Sequence, residues 1–221
     1  MEQAHMPRFQ HIIFDLDGTL IDSAPAILAS FRAAFDAAGR TPVTVIDESI
    51  IGPPLVETLE LLSGSTDPAL TAALAQHFAA VYDTTGFLET RPYPGVDAVL
   101  RALRDAGAQL HIATNKRILP TRRIIEHLGW DGLFESVYAL DLFCPRLPDK
   151  ARMIGRLQAD RQIPAASAVY VGDREEDGIS ADANELAFVA ATWGYGSIAP
   201  QALRPHWRAA ATPGALLDQM A

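Results

Sequence analysis

Phe9–Asp22, F-Q-H-I-I-F-D-L-D-G-T-L-I-D, is the stretch whose reading decides the fold. His11–Phe14 is a short apolar run rich in β-branched residues, and it ends in two carboxylates, a glycine and a threonine. That order is a buried strand emptying into a polar loop. In extended chain Asp15 and Asp17 project to one side with Leu16 turned away, and Gly18 lets the backbone turn and approach a ligand closely. Two carboxylates ~4 Å apart repel by roughly 4 kcal/mol at an effective dielectric of about 20. Such a pair holds a cation or shares a proton. Alone, the pattern also fits a capped strand-to-loop turn. An EF-hand is excluded, because the glycine falls at loop position four and no helix precedes it.

The arrangement recurs. Ala108–Ala113 is a second apolar run, ending in Thr114-Asn115-Lys116, and Ala168–Val171 a third, ending in Gly172-Asp173 with Asp177 four residues on. A helix-like segment follows each, which is the βαβ rhythm of a parallel sheet. In open sheets of this kind ligands bind beyond the carboxyl ends of the strands. Asp15, Asp17, Asp173 and Asp177 therefore gather at one edge, where Thr114 and a lysine add donors. That set suits a hard divalent cation and a phosphoryl group.

In these residues the chain resembles the haloacid dehalogenase superfamily of phosphohydrolases. Asp15–Leu20 is similar to the first motif, Thr114-Asn115-Lys116 to the second, Lys150 to the third, and Gly172-Asp173-x-x-x-Asp177 to the fourth. Asp22-Ser23, Ile51–Leu55, Tyr93–Val96 and Trp193–Gly196 place the likeness in the subgroup of phosphoglycolate phosphatase and related small phosphatases. The resemblance implies an α/β fold, a Rossmann-like parallel-sheet core carrying an inserted all-helical cap.

The local patterns divide the chain in the same way. Ala24–Ala38 has helical spacing of Ile27, Leu28, Phe31 and Phe35 and ends at Gly39. Leu55–Leu62 is a second helix, and a third runs from Asp67 as N-cap and Pro68 as N1 to about Asp83. Nothing between Ser23 and Thr90 reads as a strand. The expected division is a catalytic core of residues 1–20 and 92–221 and a helical cap of residues 21–91. Core helices are expected over Gly95–Asp105, Ile118–Leu128, Asp149–Ala159 and Asp177–Asn184. Further strands are expected at Val137–Leu140 and Leu186–Ala191, and Met1–Arg8 reads as a lead-in.

The resemblance also implies roles. Asp15 is the nucleophile, and Asp17 the acid that protonates the leaving alkoxide and then the base that activates water. Mg²⁺ is held by Asp15, the Asp17 carbonyl, Asp173 and Asp177, the last directly or through water. Thr114, Asn115 and Lys150 hold the phosphoryl oxygens, with Arg146 a rival to Lys150, because Ala151 stands where proline commonly follows the third-motif lysine. Gly52, in a loop stiffened by Pro53 and Pro54, is the expected cap contact to the leaving group.

A net charge of −9 without a basic block argues against nucleic acid. No apolar run spans a membrane and no signal-peptide core is seen, so a cytoplasmic monomer or homodimer acting on a small phosphorylated metabolite is expected. The lone Cys144 permits no internal disulfide. His5, His11, His111, His127 and His206 have no zinc spacing. Asp17 argues against a dehalogenase, and the absence of lysine from Ser23–Thr90 against a phosphonate hydrolase. A phosphohexomutase, a nucleotidase or pyrophosphatase, and a regulatory scaffold on the same fold stay open. In the cap region few cations follow Arg32 and Arg40, so little there resembles a carboxylate clamp.

Overall fold

The computed structural model of the chain describes residues 8–196 and 198–220, so all of the expected lead-in except Arg8 lies outside the described residues. Its frame is a six-stranded, wholly parallel sheet in the order β5-β4-β1-β6-β7-β8. The strands are β1 (His11–Phe14), β4 (Gln109–Thr114), β5 (Phe134–Ala139), β6 (Ala168–Gly172), β7 (Ala187–Ala191) and β8 (Arg208–Ala210). Alternation along each strand feeds two cores. Ile12, Phe14, Leu110 and Ile112 face α4 (Val96–Asp105), α5 (Ile118–His127) and the terminal α8 (Ala215–Met220). Ile13, Ala113 and Tyr170 face α6 (Lys150–Arg161) and α7 (Glu175–Asp182). With both faces covered, the central strands can be apolar throughout, and β1 is buried at every position.

A third core stands apart from the sheet. Helices α1 (Ala24–Ala37), α2 (Leu55–Ser63) and α3 (Pro68–Tyr82) enclose Phe31, Phe35, Leu59, Leu62, Leu74 and Phe78. Each such side chain contributes about 1.5–3 kcal/mol on burial. Asp67 caps α3 by accepting the Ala69 N–H at 3.0 Å, with Pro68 in the first turn, as its sequence requires.

Three features depart from expectation. A two-residue strand β2 (Ile21–Asp22) pairs antiparallel with β3 (Arg91–Pro92), so the chain enters and leaves the helical block through one ladder. Two residues carry no periodicity, and the pairing is a long-range event. Strand β8 was likewise too short to read. Helix α7 also begins two residues earlier than its apolar pattern indicated. The Asp177 carboxylate accepts the Arg174 backbone N–H at 3.1 Å and so starts the helix from its third position.

Candidate active site

Strands β1, β4 and β6 end side by side, and their carboxyl ends deliver Asp15, Thr114 and Asp173 to one edge, all buried. Asp177 joins them from the first turn of α7, and Lys150 from the first residue of α6. Asp149 caps α6 by accepting the Arg152 N–H at 2.8 Å, which fixes where Lys150 emerges. Lys150 Nζ then lies 3.0 Å from Asp15 Oδ2 and 2.5 Å from Asp177 Oδ1. Burial opposes its charge, but the two carboxylates outweigh that and hold its pKa well above the ordinary lysine value. Arg146, the rival cation, is exposed and pairs with Glu57 of α2.

One lysine cannot neutralise three acids. Burial pushes the Asp15 carboxyl up to about 6 against the pull of Lys150, and Asp177 adds to the rise. Burial, then Asp177 and Asp15, raise Asp173 to about 7, although the Gly196 N–H donates to its Oδ2 at 2.8 Å. Asp15 Oδ1 and Asp173 Oδ1 are buried without any hydrogen-bond partner. One oxygen each from Asp15, Asp173 and Asp177 falls within 4.8 Å of the others. Orphaned hard oxygens around a shared centre, in a set short of positive charge, fit a divalent cation. The backbone makes room for it: Gly18 has φ +79°, and a Cβ there would lie 2.3 Å from Asp173 Oδ2.

Asp17 faces the other way. Its carboxylate accepts from Ser23 Oγ and from Lys116 Nζ at 2.9 and 3.2 Å, and the lysine also sits 4.6 Å above the Tyr82 ring of α3. Asp15 and Asp17 both line the space between sheet edge and helical block. Thr114, Asn115 and Gly52 line the same space, and the Gly52 carbonyl accepts from Asn115 Nδ2 at 2.9 Å. All the expected site residues are therefore brought together.

Three further residues belong to the neighbourhood. Lys116 stood in the quoted T-N-K, but its bond to Asp17 spans 99 residues of chain. Arg174 reaches the Ile51 carbonyl, and a Cβ on Gly52, where φ is +122°, would meet its Cδ at 2.4 Å. Tyr195, from the W-G-Y-G loop, puts its hydroxyl on the N–H groups of Ser23 at 2.5 Å and Ala24 at 3.0 Å and on Asp22 Oδ1 at 2.9 Å. The aromatic-glycine spelling marked that loop without saying where the tyrosine points.

Residues 12–191 match the model of the haloacid dehalogenase-like hydrolase family. The chain is 35% identical over 188 residues to "Tyrosine-protein kinase PtkA" of Mycobacterium tuberculosis, covering 85% of this chain and 63% of that protein. The chain thus spans less than two thirds of that relative's length. It is 34% identical to a phosphoglycolate phosphatase of Cereibacter sphaeroides, covering 83% of this chain and 85% of that one. Among solved structures, a predicted phosphatase from Clostridium acetobutylicum superposes with a TM-score of 0.83 at 26% identity, over 96% of this chain and 97% of that one.

Proposed function

Because this chain belongs to the haloacid dehalogenase-like hydrolase family, we propose that it is a Mg²⁺-dependent phosphatase of small phosphomonoesters, of the phosphoglycolate phosphatase-like type, acting through a phospho-aspartate. The observation that carries the reading is Asp15 itself. Its Oδ2 is tied to Lys150 while Oδ1 has no partner, on the wall of a space that Asp17 also lines.

Asp15 attacks phosphorus, forming an O–P bond as the ester P–O bond breaks, and Asp17 gives its proton to the departing alkoxide. Water then attacks the acyl-phosphate, Asp17 takes the proton back, and inorganic phosphate leaves with the Asp15 carboxylate restored. Lys150, fixed between Asp15 and Asp177, and Thr114 with the Asn115 backbone N–H stabilise the charge on the phosphoryl oxygens. Asp15, Asp173, Asp177 and the Asp17 carbonyl would hold Mg²⁺, which supplies Lewis-acid charge to those oxygens. Residues 21–91 form the cap in this reading, with Lys116 and Ser23 positioning Asp17 at the junction. The buried, closely fitted carboxylates favour catalysis over a scaffold role, since a scaffold gains nothing from that electrostatic cost.

The test is to trap the intermediate. Asp17→Asn incubated with acetyl phosphate and Mg²⁺, then reduced with borohydride, should yield homoserine at position 15 by mass spectrometry. Steady turnover by the wild-type protein with no label at position 15 would overturn the mechanism.

A further inference from the structure

The space above Asp15 and Asp17 is about 60 Å³, and toward the helical block its walls are Ile27, Phe31, Ile50, Leu55 and Phe78. It shares Leu55, Asn115 and Arg117 with a second cavity of about 250 Å³ that runs outward beneath α2 between Pro54, Ala75 and Leu140. The two lie side by side across that shared wall, in line from the reacting centre outward. Every cation lining them is already paired: Lys116 with Asp17, Arg117 with both oxygens of Asp83 at 2.8 and 2.5 Å, and Arg146 with Glu57. The outer cavity also carries the Asp141 carboxylate. To engage Lys116 or Arg117, an anionic leaving group would have to displace a largely buried aspartate and leave it uncompensated, and at the outer end it would compete with Glu57 for the exposed Arg146. Asn115 Oδ1, buried on the shared wall, has no hydrogen-bond partner and is an acceptor, which repels a carboxylate and welcomes a donor.

Resting on the phosphatase reading above, we propose that the leaving alcohol has an uncharged apolar body, branched aliphatic or aromatic, seated along this line of cavities. A hydroxyl or N–H that reaches Asn115 is the one polar feature the walls favour. The outer cavity has the room, since an apolar cavity of about 150 Å³ holds a benzene ring.

The inference is tested with primary esters that share the reacting CH₂–O–P group: ethyl, butyl and 2-phenylethyl phosphate and phosphoglycolate, with acetyl phosphate as the reference for chemistry alone. From ethyl to 2-phenylethyl phosphate kcat/KM should rise at least tenfold, at about fourfold per buried methylene, and phosphoglycolate should do no better than ethyl phosphate. Leu55→Arg, which adds an unpaired cation to the shared wall, should reverse the order. A flat series, or preference for phosphoglycolate, with acetyl phosphate turned over, overturns the inference and leaves the phosphatase reading standing. A folded Leu55→Arg protein that keeps the wild-type order overturns it too. Failure on acetyl phosphate with Mg²⁺ overturns both.

Discussion

Lys150 pairs with Asp15 and Asp177 at once from a buried position. Removing one partner from a buried charge cluster typically costs about 3–5 kcal/mol. Lys150→Met should therefore lower the melting temperature of the metal-free protein markedly and reduce turnover by at least ~10³-fold, measured by calorimetry and acetyl phosphate hydrolysis. Asp15→Asn should lose turnover equally, yet melt no lower than wild type without metal, because a neutral amide replaces a carboxylate that burial disfavours. A second buried pair lies at the opposite end of the strands. His11 Nδ1 and His111 Nε2 are 3.3 Å apart, and His111 Nδ1 is 2.8 Å from Ser136 Oγ. Burial lowers both, His111 to about 4 with help from His11 and Arg161. A folded-state pKa below the unfolded value means that stability is full above about pH 6.5 and is lost as pH falls toward 4, by on the order of 3 kcal/mol for His111. His111→Asn should flatten the acid limb of a Tm-versus-pH curve, and an unchanged limb would exonerate the pair. Neither histidine was legible as a partner in sequence, since only the register of β1 against β4 brings them together.

At the scale of elements, the loop after β7 fastens two parts of the molecule. Its Gly196 N–H holds Asp173, and its Tyr195 hydroxyl caps the start of α1, a job that Ser23 leaves undone because its own hydroxyl is on Asp17. Loss of a helix cap costs about 0.5–2 kcal/mol. Tyr195→Phe should lower stability by that amount and speed amide exchange at Ala24–Ile27 while leaving the sheet's exchange unchanged. Uniform acceleration would show that the tyrosine serves general packing instead. The strand-loop units at Asp15, Thr114 and Asp173 were readable because apolar runs and polar ends are local properties. The third-motif cation reads as Lys150 with Arg146 its rival, and what spacing does not carry is their surroundings: Lys150 is buried against Asp15 and Asp177, whereas Arg146 reaches across to Glu57. The same holds for Lys116, whose partner Asp17 is set by sheet order rather than by spacing.

For the whole molecule, three buried acids around one point make the metal-free protein a strained form of itself. A ligand at ~100 times its Kd adds about 2.7 kcal/mol, and at this size 1 kcal/mol moves Tm by roughly 2–4 °C. Mg²⁺ should thus raise Tm by about 5–10 °C at neutral pH, and Asp173→Asn should remove most of that shift. No Mg²⁺-dependent shift in the wild-type protein would count against the cation site. The parallel sheet and its helical interruption were legible in the order of apolar runs, whereas the tie between their halves was not. That tie, β2 against β3, bears on how the chain reaches this shape. β1 and β4 must pair across about a hundred residues, the kind of contact that slows folding. If the helical block forms first and the ladder joins its ends, the segment left to search shrinks by roughly 70 residues. For a loop shortened about fourfold, the closure entropy falls by about 1.2 kcal/mol. The ladder then works as a kinetic shortcut, making the two halves of the sheet near neighbours before they meet.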